Sequence, residues 1–276
     1  MGIRWNLPGR VYLAGAGPGS AKLLTVRAAE VLQRADVVFH DDLVSEDVLG
    51  TIPSRTAVFN VGKRCGSKKV TQEEIHRRMI SAAREGRNVV RLKGGDPLIF
   101  ARTREEIDAL REAGIEFEIV PGVTAATAAA AGAEMPLTER STASKLIFAS
   151  NHRCAGNGAR LWGEGALSDA TLVIYMPGRN LATLKEDLCA SGLCGGTPCL
   201  LVSQASGAKQ RLVRTQLRDL GQFDALPAPS LVIVGDVVLG ARAAEEVTRA
   251  DALEVIFAGQ QDKVAAREAD DIAVND

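Results

Sequence analysis

The chain has 276 residues, 46% of them hydrophobic and 24% charged, and its formal net charge is −1. This length favours two domains, and the balanced charge argues against a partner such as nucleic acid or an anionic membrane. No apolar stretch approaches the roughly 20 residues that span a bilayer. Neither the five cysteines nor the three histidines have the spacing of a metal site. We therefore expect a cytoplasmic protein with reduced thiols and no bound metal.

The first half of the chain alternates short β-branched runs with helical patterns. Strands are predicted at 11–13, 37–39, 89–92 and 117–120. Helices are predicted at 24–35, 71–86 and 103–114. The second and third helices both begin with the capping-box pattern Thr-x-x-Glu, at Thr71 to Glu74 and at Thr103 to Glu106. Strands separated by helices predict right-handed βαβ units and a mostly parallel sheet.

The second half begins after Pro121-Gly122 with an alanine-rich helical segment. Further strands are predicted at 146–149, 171–175, 200–202, 211–213 and 231–234. Their irregular spacing favours a mixed sheet, and the polar stretch 155–165 favours a loop. The sequence therefore predicts an α/β domain over 8–122, a second over 123–240, and a charged tail over 241–276 that is partly helical or frayed.

A glycine-rich turn, Gly15–Ser20, follows the first predicted strand. A dinucleotide-binding turn has the pattern G-x-G-x-x-G with an acidic residue about 20 positions later. The first two glycines and Asp41 fit that pattern, but Ser20 replaces the third glycine. Pro18 also removes one N–H group that could hold a phosphate. From the spacing alone, nucleotide binding and an ordinary strand-to-helix turn both stay open.

A second glycine motif, Gly94-Gly95-Asp96-Pro97, follows the predicted strand 89–92. Paired glycines let a ligand approach the backbone closely, and the carboxylate of Asp96 can accept hydrogen bonds from an amine or a ribose. Ligands bind at the carboxyl ends of strands in open α/β sheets. An ordinary turn has the same composition, so both interpretations stay open.

Basic residues cluster in two segments near these motifs. They are Lys63, Arg64, Lys68 and Lys69 in the first segment, and Arg102 and Arg104 in the second. An arginine fork and a lysine point charge suit a phosphate or a polycarboxylate. A solvated charged loop is the commoner explanation of such a run.

These motifs occur in the order found in the uroporphyrinogen-III C-methyltransferases of the tetrapyrrole methylase family, which the chain resembles. The matching segments are 11–20 (VYLAGAGPGS), 61–64 (VGKR), 89–100 (VVRLKGGDPLIF), 121–126 (PGVTAA), 171–176 (TLVIYM) and 231–238 (LVIVGDVV). The resemblance implies a homodimer with two α/β domains in each chain. It also implies that S-adenosyl-L-methionine binds in the cleft between the domains and leaves as S-adenosyl-L-homocysteine.

The resemblance implies roles for individual residues. Donor contacts are implied for Pro18, Gly94, Gly95, Asp96, Ile99, Thr124, Ala125, Met176, Ala205 and Ser230. Catalytic roles are implied for Asp41, Lys63 and Arg102, and substrate contacts for Arg64, Arg104 and Glu105. The implied reaction is attack by a pyrrole carbon on the sulfonium methyl, after which a base such as Asp41 removes a proton.

The chain departs from the family on the substrate side. Asp42 stands where the family has an arginine, Thr103 and Arg104 replace two glycines, and Glu139 replaces a histidine. Three hypotheses follow. The first is methylation of uroporphyrinogen III to precorrin-2, through precorrin-1, in sirohaem- or cobalamin-type biosynthesis. The second is a related methylase with a different tetrapyrrole substrate, and the third is a non-catalytic or NAD-binding protein on the same fold.

Overall fold

A computed structural model describes residues 9–62, 70–151, 167, 169–224, 226–242 and 245–246. The chain divides into two compact units. The first consists of Met1–Ala128 and Ala205–Ala208, and the second of Ala129–Gln204 and Lys209–Asp276.

The first unit contains a five-stranded sheet. Its strands are β1 (Val11–Gly15), β2 (Val37–His40), β3 (Ala57–Asn60), β4 (Val89–Lys93) and β5 (Phe117–Val120). Their order is β3-β2-β4-β1-β5, and all neighbouring pairs are parallel. Every residue of β2 and of β4 is buried, as expected for central parallel strands that are covered on both faces. The predicted parallel sheet is confirmed, although the edge strand β3 was not predicted.

Helices α1 (Val26–Gln33) and α2 (Glu46–Leu49) cover one face of this sheet, and α3 (Gln72–Arg84) and α4 (Thr103–Glu112) cover the other. Helix α5 (Ala125–Gly132) follows β5 and crosses the boundary between the units. Alternate residues of the strands face opposite sides: Val11 and Leu13 pack with α3 and α4, whereas Ala14 packs with α1. Because the period is two, Arg91 and Lys93 lie on the same face of β4 as Val89, the face towards α4.

The two predicted capping boxes have different outcomes. At the start of α3, the Thr71 side chain accepts a hydrogen bond from the Glu74 N–H at 3.2 Å, as predicted. At the start of α4 the prediction is wrong, because the residue before the helix is Arg102 and Thr103 is already helical. The Thr103 hydroxyl donates to the Pro97 carbonyl instead, and Glu106 turns into the core.

The second unit contains a mixed six-stranded sheet, as predicted. Its strands are β6 (Lys145–Ser150), β7 (Ala170–Tyr175), β8 (Pro198–Ser203), β9 (Arg211–Gln216), β10 (Ser230–Val234) and β11 (Glu245–Glu246). The order is β11-β9-β8-β10-β7-β6, with parallel pairing only at the β11–β9 and β6–β7 edges of the described sheet. Helix α6 (Leu181–Ala190) packs Leu181, Leu184 and Leu188 onto one face.

Strand β11 falls within the segment predicted as a helical or frayed tail. It pairs with β9, so that expectation is wrong for Glu245–Glu246. Residues 247–276 and the predicted loop 155–165 lie outside the described residues.

An ion pair joins α1 to β5 and gives the first prediction. Arg27 donates two hydrogen bonds to Glu118, at 2.7 and 2.8 Å. Hydrogen bonding to Arg27 is the main reason why the pKa of the Glu118 carboxyl is lowered. A lowered folded-state pKa contributes stability above the unfolded-state pKa, and that stability is lost as pH falls through the folded-state pKa. Glu118→Gln should therefore lower the free energy of unfolding slightly at pH 7, because water screens this partly exposed pair.

The measurement is urea unfolding of both proteins from pH 7 down to acid. The difference between them should shrink as the pH falls. The exposed Glu116→Gln is the control, and a Glu118→Gln difference that grows in acid would contradict the assignment.

Candidate functional site

The carboxyl ends of the five parallel strands lie along one edge of the first sheet, and most of the predicted site residues follow them. Pro18 follows β1, Asp41 follows β2, and Gly94 follows β4. Thr124 follows β5, and Ala125 begins α5. Because ligands bind at this edge in open α/β sheets, the edge is the candidate site.

Three loops at this edge are joined through their glycine backbones. Gly17 and Gly95 exchange two hydrogen bonds, N to O at 3.2 Å and 2.8 Å. A Cβ atom at Gly15 would lie 2.6 Å from the Gly95 oxygen, and one at Gly122 would lie 2.3 Å from the same oxygen. No side chain fits at Gly15 or at Gly122, so packing requires glycine at these two positions.

Gly94 differs from its neighbours because it has room beside it. A Cβ at this position would meet only the Leu43 Cβ within 4 Å, at an ordinary contact distance of 3.5 Å. The backbone of Gly94 is partly exposed. The loop therefore presents bare backbone that a ligand can approach closely.

Asp96 fixes the geometry of two of these loops. Its Oδ1 accepts a hydrogen bond from the Leu98 N–H at 2.8 Å, and its Oδ2 accepts one from the Gly122 N–H at 2.9 Å. From the sequence, this carboxylate was predicted to accept hydrogen bonds from an amine or a ribose of a ligand. In the structure both oxygens bind backbone, which leaves further lone pairs for a ligand.

The segment that leads into α4 has a strained backbone. Phe100 and Arg102 have φ values of 51° and 53°, in the left-handed region that non-glycine residues rarely adopt. Arg102 donates two hydrogen bonds to Glu105, at 2.9 and 2.8 Å. Strain of this kind is maintained by the surrounding structure, and here Thr103 is buried and bonded to Pro97.

Arg104, which was predicted to contact the substrate, lies on the exposed surface of α4. Its Nε is 2.6 Å from Asp108, one turn later in the helix. The hydrogen bond and the charge of Asp108 both raise the pKa of Arg104. Arg102 and Arg104 thus each have an acidic partner on the same helix.

Asp41 is held by an arginine that the sequence analysis did not select. The carboxylate of Asp41 accepts a hydrogen bond from Nη2 of Arg91, and the Asp41 side chain is 33% exposed while Arg91 is 3% exposed. Next to it, Asp42 Oδ1 accepts a hydrogen bond from the Asn60 amide at 3.0 Å. The Asn60 Oδ1 accepts the Gly62 N–H at 2.8 Å. Lys63 and Arg64 come next and lie outside the described residues.

Arg91 belongs to a buried group of charges that also contains Glu106 and Lys93. Glu106 is fully buried, and its two oxygens lie 2.9 Å from Arg91 Nε and from Lys93 Nζ. Burial, followed by the charge of Arg91, lowers the pKa of Lys93, whereas in Arg91 the charges of Asp41 and Glu106 outweigh burial and raise its pKa. The sequence does contain a signal for this group: Arg91 and Lys93 lie two residues apart in a buried strand, and two buried cations require a buried acid.

The remaining predicted donor residues come from later in the chain. Ala205 belongs to the first unit and is buried, and the adjacent Ser206 Oγ accepts the Ser20 N–H at 3.2 Å. In the second unit, Met176 follows β7 with a φ of 50°, and Ser230 begins β10 opposite Ser203. That all these residues contact one donor stays a prediction.

Among the described residues, no group of three or more histidine, cysteine, aspartate or glutamate side chains could hold a metal ion. No helix within these residues has both the length and the apolar composition to cross a membrane.

Comparison with known proteins identifies the family. The family model described as Tetrapyrrole (Corrin/Porphyrin) Methylases matches residues 10–221. Siroheme synthase 1 of Aeromonas hydrophila is 44% identical over 231 residues, which cover 83% of this chain and 50% of that protein. The chloroplastic S-adenosyl-L-methionine-dependent uroporphyrinogen III methyltransferase of Arabidopsis thaliana is 42% identical over 84% of this chain and 64% of its own length. The chain thus spans about half the length of siroheme synthase 1.

A solved structure matches over nearly its whole length. It is uroporphyrin-III C-methyl transferase from Thermus thermophilus complexed with S-adenyl homocysteine, which is 39% identical. The TM-score is 0.72, and the match covers 84% of this chain and 99% of that one.

The glycine contact generates the second prediction. Gly122→Ala places a methyl group 2.3 Å from the Gly95 oxygen and should lower the free energy of unfolding by about 1–3 kcal/mol. Gly94→Ala, in the same set of loops, has room for its methyl and should leave stability nearly unchanged. Urea unfolding measures both, and equal stability of the two variants would contradict the predicted clash.

Proposed function

Because the chain belongs to the tetrapyrrole methylase family, we propose that it transfers methyl groups from S-adenosyl-L-methionine to carbon atoms of uroporphyrinogen III. The product would be precorrin-2, formed through precorrin-1, for sirohaem- or cobalamin-type biosynthesis. The observation that carries the proposal is the exposed backbone at Gly94, in a loop fixed by Gly95 and Asp96. The similarity to a methyltransferase complexed with S-adenyl homocysteine supports the same donor.

The donor contacts are proposed by residue-by-residue match to the family. In the first unit they are Pro18, Gly94, Gly95, Asp96, Ile99, Thr124, Ala125 and Ala205. In the second unit they are Met176 and Ser230. The first unit fits a donor, because its loops offer bare backbone at Gly94 and lone pairs on Asp96 that accept hydrogen bonds.

In the proposed reaction the donor supplies the methyl group, and the protein positions the reacting atoms and accepts a proton. S-adenosyl-L-methionine supplies an electrophilic methyl group on its sulfonium. The loops after β1, β4 and β5 hold the reacting atoms in line and exclude water. Asp41 accepts the proton that leaves the methylated ring carbon, and the electron pair of that C–H bond returns to the ring. Lys63 is proposed as a second acid–base group.

The substrate carries carboxylates, and cations on the same side would bind them. Arg64, Arg102 and Arg104 are the proposed partners, with Glu105 controlling Arg102 through their ion pair. Substrate binding would then compete with Glu105 for the Arg102 guanidinium. We propose further that the protein is cytoplasmic and that it forms a homodimer, as the family implies. Sedimentation of the purified protein tests the homodimer.

A second candidate is a methylase for a different tetrapyrrole. Asp42 favours it, because an acid in the loop beside Asp41 repels substrate carboxylates that an arginine would attract. The Asn60 amide fixes this acid in place. The loss of an arginine there would reduce affinity for uroporphyrinogen III without affecting the donor.

Calorimetry and anaerobic turnover test these proposals together. We expect binding of S-adenosyl-L-methionine but not of NAD, and methylation of uroporphyrinogen III. Failure to bind the donor at about millimolar concentration would overturn both methylase candidates. Donor binding without methylation of uroporphyrinogen III would favour the second candidate.

Gly94→Ala tests the donor surface itself. The added methyl fits the fold but occupies the space beside the exposed backbone. We expect affinity for S-adenosyl-L-homocysteine to fall at least about tenfold, with the melting temperature nearly unchanged. Gly240→Ala is the matched control, because no described residue lies within 4 Å of its Cβ position and it is far along the chain. Unchanged affinity in Gly94→Ala would remove Gly94 from the donor site.

A further inference from the structure

Arg91 connects the loop that carries Asp41 to the interior of the first unit. Its guanidinium donates to Asp41 Oδ1, to the Phe39 carbonyl at 3.3 Å and to the Leu92 carbonyl at 3.2 Å. Its Nε donates to Glu106 at 2.9 Å. Each of its three nitrogens thus has an acceptor in the described residues, so the guanidinium has one orientation.

Glu106 fixes Arg91 from the other side. Its Oε1 accepts from Arg91, and its Oε2 accepts from Lys93 at 2.9 Å. All three side chains are at most 3% exposed. Because charges this deeply buried are stable only when paired, none of the three can move independently.

Asp41 is the one member of this four-residue network that reaches solvent to a large extent, at 33%. The network has two positive and two negative groups, so its formal charge is zero. Its three buried members, Arg91, Lys93 and Glu106, carry a formal charge of +1, which the accessible carboxylate of Asp41 balances at the sheet edge. A network that served stability alone would not need an exposed acid at its end.

We infer that Arg91, oriented by Glu106, is a positioning residue that sets the carboxylate of Asp41 for proton removal. The inference rests on the proposed methyltransferase function. Arg91 holds Oδ1 of Asp41, and Oδ2 takes the proton from the methylated ring carbon while the C–H electron pair returns to the ring. Arginine is required because its planar fork reaches Asp41 and Glu106 at once, which a lysine ammonium cannot do in the same geometry.

A double-mutant cycle between Arg91 and Asp41 tests the inference. Arg91→Lys should lower kcat about 100-fold through misplacement of the base, while KM and the affinity for S-adenosyl-L-homocysteine change less than about threefold. In the Asp41→Asn background the same change should lower kcat by less than about threefold. Steady-state methylation of uroporphyrinogen III gives kcat and KM for all four proteins, and circular dichroism shows that each is folded.

A second variant and a control protect the test from effects on folding. Glu106→Gln keeps the size of the side chain and should show the same dependence on Asp41, so it replaces Arg91→Lys if that variant does not fold. Leu110→Ala removes fully buried side-chain volume from the same helix and keeps all four charged residues of the network. It should lose stability and keep kcat within about twofold.

The outcomes separate the inference from the proposed function. Absence of methylation by the unchanged protein would overturn the proposed function and the inference with it. Methylation by the unchanged protein, with equal kcat losses for Arg91→Lys in both backgrounds, would overturn the inference alone. A loss of donor affinity as large as the loss of kcat would also overturn the inference, because Arg91 would then maintain the whole site and not the position of Asp41 in particular.

Discussion

The buried pairing of Glu106 with Arg91 and Lys93 constrains much of the first unit. Two cations on one face of a central strand cannot remain charged in an apolar interior without an acid between them. The first turn of α4 supplies that acid, and the position of the helix is therefore tied to β4 by charge as well as by packing. The segment from Pro97 to Arg102 connects β4 to this helix and has left-handed backbone at Phe100 and Arg102. The same pairing gives Arg91 a fixed orientation towards Asp41.

A second constraint acts through the backbone. No side chain fits at Gly15 or at Gly122, because each lies against the Gly95 oxygen, and the Asp96 carboxylate closes the arrangement by accepting a hydrogen bond from the Gly122 N–H. The loops after three strands therefore behave as one surface. Gly94 lies next to this contact but outside it, so its backbone stays open for a ligand. Packing and binding thus use adjacent glycines for different reasons.

The sequence predicted what depends on periodicity and missed what depends on tertiary charge. Alternating strands and helices sufficed for the parallel sheet, because buried central strands such as β2 have a distinctive apolar run. The short edge strand β3 was missed, since Val58 and Phe59 are exposed and have no such pattern. Thr103 to Glu106 matched a capping box in spacing, but the need to neutralise Arg91 and Lys93 outweighed the local hydrogen bonds. Asp41 was identified through resemblance, whereas its partner Arg91 required the structure.

The two sides of the candidate site differ in what they are made from. The proposed donor side is mostly backbone and glycine, where a methyl group at Gly15 or Gly122 would clash with the Gly95 oxygen. The proposed substrate side is made of charged side chains, and Arg102 and Arg104 have acidic partners on α4. Replacement of an arginine by aspartate at position 42 reverses a charge there, and the Asp42 carboxylate accepts a hydrogen bond from the Asn60 amide. Substrate choice can therefore change in this architecture while the methyl donor stays the same.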